Sequence, residues 1–184
     1  MNFKLFYFFI LLISVFSCSK KITLENEMDC SNFISITQSN KKTDINKNFT
    51  IEVPKKWKHH VYYDDTQSTI FMADTIKELV DTYIMDVSKK NGELRLNQEF
   101  EDTLNNHTDL NILKSSFENF KELPAYWKLS RGTKKKFIYH VFNLFVKISD
   151  VTYIEIKTEI YGDKNVDERL CESFKLISSL EILK

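Results

Sequence analysis

The chain has 184 residues, and 26 lysines and arginines balance 26 aspartates and glutamates, so its formal charge is zero. Without a basic excess, nucleic acid is not an expected partner. Three glycines and two prolines argue against a glycine-rich phosphate loop and against low-complexity linkers.

Taken in chain order, the first landmark is N-terminal. Lys4 supplies a positive charge, Leu5 to Phe16 is an apolar run, and Val15-Phe16-Ser17-Cys18 closes it. The run is shorter than the ~20 residues needed to span a bilayer as a helix. It resembles a bacterial lipoprotein signal ending in a lipobox, with Phe16 bulkier than usual. The expectation is a signal peptide over 1–17, cleaved before Cys18, whose thiol carries lipid and anchors the protein to a membrane. An ordinary cleaved signal with a nearby cysteine is the alternative. The lipid reading puts the domain outside the cytoplasm, in the cell envelope, on the inner or outer membrane. Residues 18–47 then read as the lipidated cysteine and a polar tether. The folded domain is expected over 48–184, long enough for one core.

Phe49, Ile51 and Val53 alternate with Thr50 and Glu52 as a half-buried strand that Pro54 ends. His60 to Tyr63 and Ser68 to Ala73 read as a hairpin around Asp64-Asp65-Thr66. Thr75 to Val80 fits helix or loop. Thr82 to Val87 reads as a strand, and Lys89-Lys90-Asn91-Gly92 as a turn. Asn97 is placed to cap a helix to about Asn106, with Phe100 and Leu104 on its buried stripe. Leu110 to Phe120 is extended, and Leu123-Pro124-Ala125-Tyr126-Trp127 opens another strand. Phe137 to Ile148 and Tyr153 to Tyr161 form the clearest hairpin: Ile154, Ile156 and Ile160 point inward, and Glu155, Lys157 and Glu159 outward. Asn165 with Glu168 reads as a capping box for a last helix, whose Leu170, Phe174 and Ile177 face the sheet. Adjacent antiparallel strands with a middle and a terminal helix give an α+β single domain.

Phe49-Thr50-Ile51-Glu52-Val53-Pro54-Lys55-Lys56-Trp57 resembles the "F-S-I-x-x-P-x-x-W" opening of the PsbP-like (Mog1/PsbP-like) superfamily. Leu123-Pro124-Ala125 and the final helix through Phe174 fall where that pattern places them. The resemblance covers about Asn48 to Lys184, and the sparse glycine departs from many members. It implies an antiparallel β-sheet sandwiched by helices. It also implies a mostly non-enzymatic role, as assembly factor, cofactor-binding subunit or small-GTPase partner. No site residue carries over, since members share no residue-level motif.

No nucleophile elbow and no recognisable metal-ligand spacing appears, so neither catalytic residues, nor a metal, nor a cofactor is expected. His59 and His60 are adjacent on a strand and point to opposite faces. Cys30 and Cys171 are an even pair in a chain read as exported. They suggest a disulfide between the N-terminal segment and the last helix, with two unrelated buried thiols as the alternative. Trp57, Tyr126, Trp127 and Tyr139 are the candidate binding face: were the second helix to cover only part of one sheet face, an aromatic groove would stay open. The functional expectation is a non-catalytic envelope lipoprotein that binds a protein partner or supports assembly, and that reaches the membrane through its lipid. The alternatives are a small-molecule or ion-binding lipoprotein using that groove, and a hydrolase with an unrecognised site.

Overall fold

The computed structural model describes Cys30 and residues 38–106 and 108–183. The expected signal peptide, Cys18 and His107 lie outside these residues. The chain divides into two compact units, residues 1–31 and 32–184. The second carries every strand and helix described here.

Period-2 sequence patterning becomes two antiparallel sheets. Strands β1 (Ser39–Thr43), β2 (Phe49–Pro54) and β10 (Glu181–Ile182) form a small sheet with β2 in the middle. The other seven are β3 (Lys58–Tyr63), β4 (Gln67–Ala73), β5 (Tyr83–Asn91), β6 (Asn111–Phe120), β7 (Leu123–Lys134), β8 (Phe137–Lys147) and β9 (Thr152–Tyr161). They order as β3-β4-β5-β9-β8-β7-β6, so β3 and β6 are the edges. Helix α1 spans Gln98–Asn106 and α2 spans Val166–Ser178. The fold class is α+β, an antiparallel sheet system flanked by helices, as expected.

One face of the large sheet is the main core. Ile70, Met72, Met85, Val87, Phe142, Leu144, Ile154 and Ile156, alternate residues of the central strands, are almost fully buried. Phe174 of α2 packs edge-on against Phe142, at 4.8 Å between ring centres, and Phe142 in turn lies against Trp127 at 6.1 Å. Leu170 and Ile177 of α2 are buried too, as is the Phe49, Ile51 and Val53 stripe of β2. The helical spacing in the sequence thus marks the stripe that closes this layer.

Three local expectations change. The stretch read as tether includes β1: Ser-Asn-Lys-Lys-Thr has no apolar alternation, and its strand rests on backbone pairing with β2 and on polar contacts of Ser39 with Glu52 and of Lys41 with Glu181. The turn expected at 89–92 begins later. Lys89 and Lys90 stay in the ladder because β4 and β9 pair with them on both sides, and Gly92, at φ 144°, makes the turn. The capping box at Asn165 does not form. Asn165 sits at φ 52° and its side chain makes no capping bond. Instead, the buried Arg169 guanidinium donates to the carbonyls of Thr82 (2.8 Å), Tyr161 (2.8 Å) and Lys164 (2.6 Å) and holds that turn. Asn97 does cap α1, its Oδ1 accepting from the Phe100 N–H at 3.0 Å. The ambiguous stretch at 75–80 gives one short 3-10 turn, Leu79–Asp81.

Candidate functional site: a half-covered sheet face

Among the described residues, α1 alone lies over the second face of the large sheet, and only at one end. Phe100 of α1 packs edge-on against Tyr126 (5.7 Å) and Phe145 (5.3 Å), with Leu94, Leu96, Leu104 and Tyr153 around them. Glu101 extends this contact: its Oε1 accepts from the Ser115 hydroxyl at 2.7 Å and the Tyr126 hydroxyl at 3.0 Å. Nine residues of helix cannot cover seven strands: beyond α1, Asp86, Lys90, Glu155 and Lys157 are partly exposed, while Tyr139, Val141, Asn143 and Glu159 between them are buried.

The open part is a cleft of about 290 Å³ between the end of α1 and the middle of the sheet. Leu104 and Leu110 form one rim, Tyr139, Asn143 and Phe145 line the base, and Glu155 and Lys157 stand opposite. A second hollow of about 170 Å³ shares Glu155 and Lys157 and continues past Asp86 and Lys90 to Tyr62 on the edge strand. Register sets this row. Lys128 of β7 lies opposite Asn143 of β8, Asn143 opposite Lys157 of β9, and Lys157 opposite Asp86 of β5. Four adjacent strands thus place a lysine, an amide, a lysine and a carboxylate side by side on one face.

The electrostatics follow from partial burial. Desolvation pushes the Asp86 carboxyl above its ordinary value; Lys157 opposes this, while Glu159 and Glu155 add to it. At Glu159 burial also pushes upward, but hydrogen bonds from Lys157, Tyr139 and Tyr161 outweigh it and hold the carboxyl low. The Tyr161 hydroxyl reaches Glu159 Oε2 at 3.0 Å, and the Tyr139 and Tyr161 rings meet at 4.9 Å. Burial with Glu159 beside it raises the Tyr139 phenol strongly, so it stays a neutral donor. Burial lowers the Lys128 ammonium, whose Nζ donates to the Leu104 carbonyl at 3.1 Å and so ties β7 to the end of α1. Lys90 meets Glu155 at 2.5 Å. The charges are largely matched with one another, an arrangement suited to recognising complementary polar groups.

The four aromatics of the candidate face separate. Tyr126 and Tyr139 belong to this second face, Tyr126 fully buried under α1 and Tyr139 lining the cleft. Trp127, next to Tyr126 in the strand, points the other way and is completely buried in the core against Phe142. Trp57 lies in the turn before β3 and packs against Tyr83 at 4.8 Å. His59 and His60 do lie on opposite faces, opposite Met72 and Phe71. Cys171 is buried on α2. Among the described residues, no group of three His, Cys, Asp or Glu side chains could hold a metal ion, and no helix is long and apolar enough to cross a membrane.

Sequence reasoning missed Lys128, Asn143, Lys157 and Asp86 as a group. Their signal was present in β9, whose outward residues are Glu155, Lys157 and Glu159. What alternation lacks is strand order, and β9 turns out to be the central strand.

The architecture is shared with solved structures. Cyanobacterial PsbP (CyanoP) from Synechocystis superposes with a TM-score of 0.59 at 10% identity, covering 82% of this chain and 95% of that one. The chain has the PsbP/Mog1-like fold. The Ran-binding protein Mog1p of Saccharomyces cerevisiae superposes at 0.54 with 10% identity, covering 79% of this chain and 95% of that one. A protein from Bacteroides thetaiotaomicron gives 0.51 at 12% identity over 80% of this chain, which spans about half of that protein, 49%. No protein-family model matches the chain, and no curated protein matches it in sequence. At these identities the likeness concerns the fold, which by itself carries no function.

Proposed function

We propose that this chain is a non-catalytic binding module, anchored to the cell envelope through lipid on Cys18, that presents the half-covered sheet face to a partner protein. The observation that carries this is the mismatch between α1 and the sheet: Asp86, Lys90, Glu155 and Lys157 stay partly accessible around the clefts, next to the buried Lys128 and Asn143 and over an aromatic floor. The clefts are wide and modest in volume, which suits the side chains of a protein surface better than the enclosed pocket a small ligand needs. Mog1p, with the same fold, is a Ran-binding protein, so the scaffold is compatible with protein recognition. The Val15 to Cys18 motif supports the anchor. The even pair of cysteines beyond Cys18 supports a bridge from Cys30 to Cys171.

The test is photo-cross-linking in intact cells, with a photoreactive amino acid at Lys157 in the cleft and, as control, at Val151, an exposed turn residue. One envelope protein captured from Lys157 and not from Val151 is the expected result. Equal capture from both positions, or none from the cleft, rejects the reading. The anchor is tested separately: Cys18→Ser should release the protein from the membrane fraction, and unchanged membrane association would reject lipidation.

A further inference from the structure

The sheet edges are treated differently. Edge β6 is interrupted by a register shift between Ile112 and Lys114 and carries Lys114 and Glu118. Edge β1 is short and polar, with Lys41 and Lys42. Such features discourage pairing with another chain. Edge β3 has one lysine, Lys58 at its start; its register with β4 is unbroken, and Val61, Tyr62 and Tyr63, three strong strand formers, are exposed along it.

The direction of its backbone groups can be derived. The Asp64 N–H bonds to the Gln67 carbonyl at 2.9 Å, which makes 64 and 67 a hydrogen-bonded pair. These pairs alternate along an antiparallel ladder, so residues 58, 60 and 62 also turn their backbone groups toward β4. His59, Val61 and Tyr63 therefore turn theirs outward, and no described strand pairs with them.

We propose that this edge pairs antiparallel with β3 of a second copy of the chain, about a two-fold axis at Val61. Charge selects that occupant and that register. The segment runs Lys58, His59, His60, Val61, Tyr62, Tyr63, Asp64, basic at its start and acidic at its end. With Val61 opposite Val61, Lys58 faces Asp64 at both ends, His60 faces Tyr62, and the outward groups of 59, 61 and 63 complete the ladder. A register shifted by one residue sets outward groups against inward ones and cannot bond. The contact is isologous and closes, as a homodimer requires. It makes the large sheet continuous across two copies and brings the Tyr62 ends of both clefts to the axis. A single strand pair buries less than a standard interface, so the dimer belongs to the weak, transient class.

The test mixes two differently tagged full-length chains, one with His60→Cys and one with Tyr62→Cys, under mild oxidation. In the proposed register these two positions form a non-hydrogen-bonded pair, with Cα atoms about 4.5 Å apart, whereas each position is diagonal to itself at about 7–8 Å. The mixed disulfide dimer should exceed either homodimer several-fold. Adding Val61→Pro to both chains should abolish it, because the ring removes an outward N–H that the monomer does not use. An unchanged melting curve confirms that this variant folds. Lys58→Glu in both chains, a second route that leaves the backbone untouched, should cut the mixed dimer several-fold by facing Asp64 with a like charge. No mixed dimer, equal yields of all three dimers, or a mixed dimer that survives Val61→Pro overturns the proposal.

Discussion

Replacing Asp44 with alanine should unfold this domain more readily than most single changes. The residue is 2% exposed in the turn between β1 and β2. Its carboxylate accepts from the backbone N–H groups of Asn46 (3.3 Å), Asn48 (2.6 Å) and Phe49 (2.9 Å), from Asn48 Nδ2 (2.8 Å) and from the Ser68 hydroxyl. One side chain therefore closes the small sheet's turn and ties it to β4 of the large sheet. Truncation leaves the buried Phe49 N–H and Ser68 hydroxyl without an acceptor. At 1–3 kcal/mol for each stranded buried group, the loss is about 3 kcal/mol. For a chain of this size that is roughly 6–12 °C in Tm. Urea and thermal unfolding followed by tryptophan fluorescence reads it directly, since Trp127 is fully buried. The charge adds a pH signature. Burial alone would push the Asp44 carboxyl up, but hydrogen bonds from Ser68, Phe49 and Asn48 outweigh it and hold it below its ordinary 3.8. With the folded value below the unfolded one, the contribution is complete well above pH 3.8 and is lost as pH falls through the folded value. Asp44→Asn should therefore lose less stability than the parent on acidification through that window. A cost under about 1 kcal/mol for Asp44→Ala, or an unchanged acid limb in Asp44→Asn, would refute the reasoning.

Arg169→Met keeps the buried stem but strands the carbonyls of Thr82, Tyr161 and Lys164; a cost of about 3 kcal/mol in urea unfolding is expected, and a neutral result would show that water replaces the guanidinium. Glu122, at φ 69° in the β6–β7 turn, is held where side chains are strained, so Glu122→Gly should raise stability by about 0.5–1 kcal/mol; a loss would mean its side chain contributes more than the backbone costs. Asn97→Ala removes the cap of α1 and should cost about 1 kcal/mol, with hydrogen exchange in α1 faster than in α2. Intact-mass analysis of the protein purified under non-reducing conditions, after alkylation, should find Cys30 and Cys171 unmodified until a reductant is added; two alkylated thiols without reductant would rule out the proposed bridge.

How much was legible in advance depends on the range of the interaction involved. Alternation in Phe137 to Ile148 and Tyr153 to Tyr161 gave those strands and the side that meets the main core, because side chains alternate between faces; it did not show that the other side of β8 is buried as well. Asn97 and the Leu170, Phe174 and Ile177 stripe were readable for a similar reason, since capping and helical spacing act within a few residues. β1 was hidden because an edge strand held by backbone pairing needs no apolar pattern. The capping box at Asn165 failed because a contact to a residue far away in the chain, Arg169 of the same helix bonding the Thr82 carbonyl just before β5, decided the turn.

The sequence by itself determined the alternation of faces, the two helices and the charge of the outward residues on β9, all set by covalent neighbours. Only the tertiary structure decided that β9 is the central strand, that Lys128, Asn143, Lys157 and Asp86 stand in one row, and that α1 reaches Lys128 while Lys157 and Asp86 stay partly exposed. Strand order and register arise from contacts between residues far apart in the chain, and no local periodicity encodes which strand lies beside which.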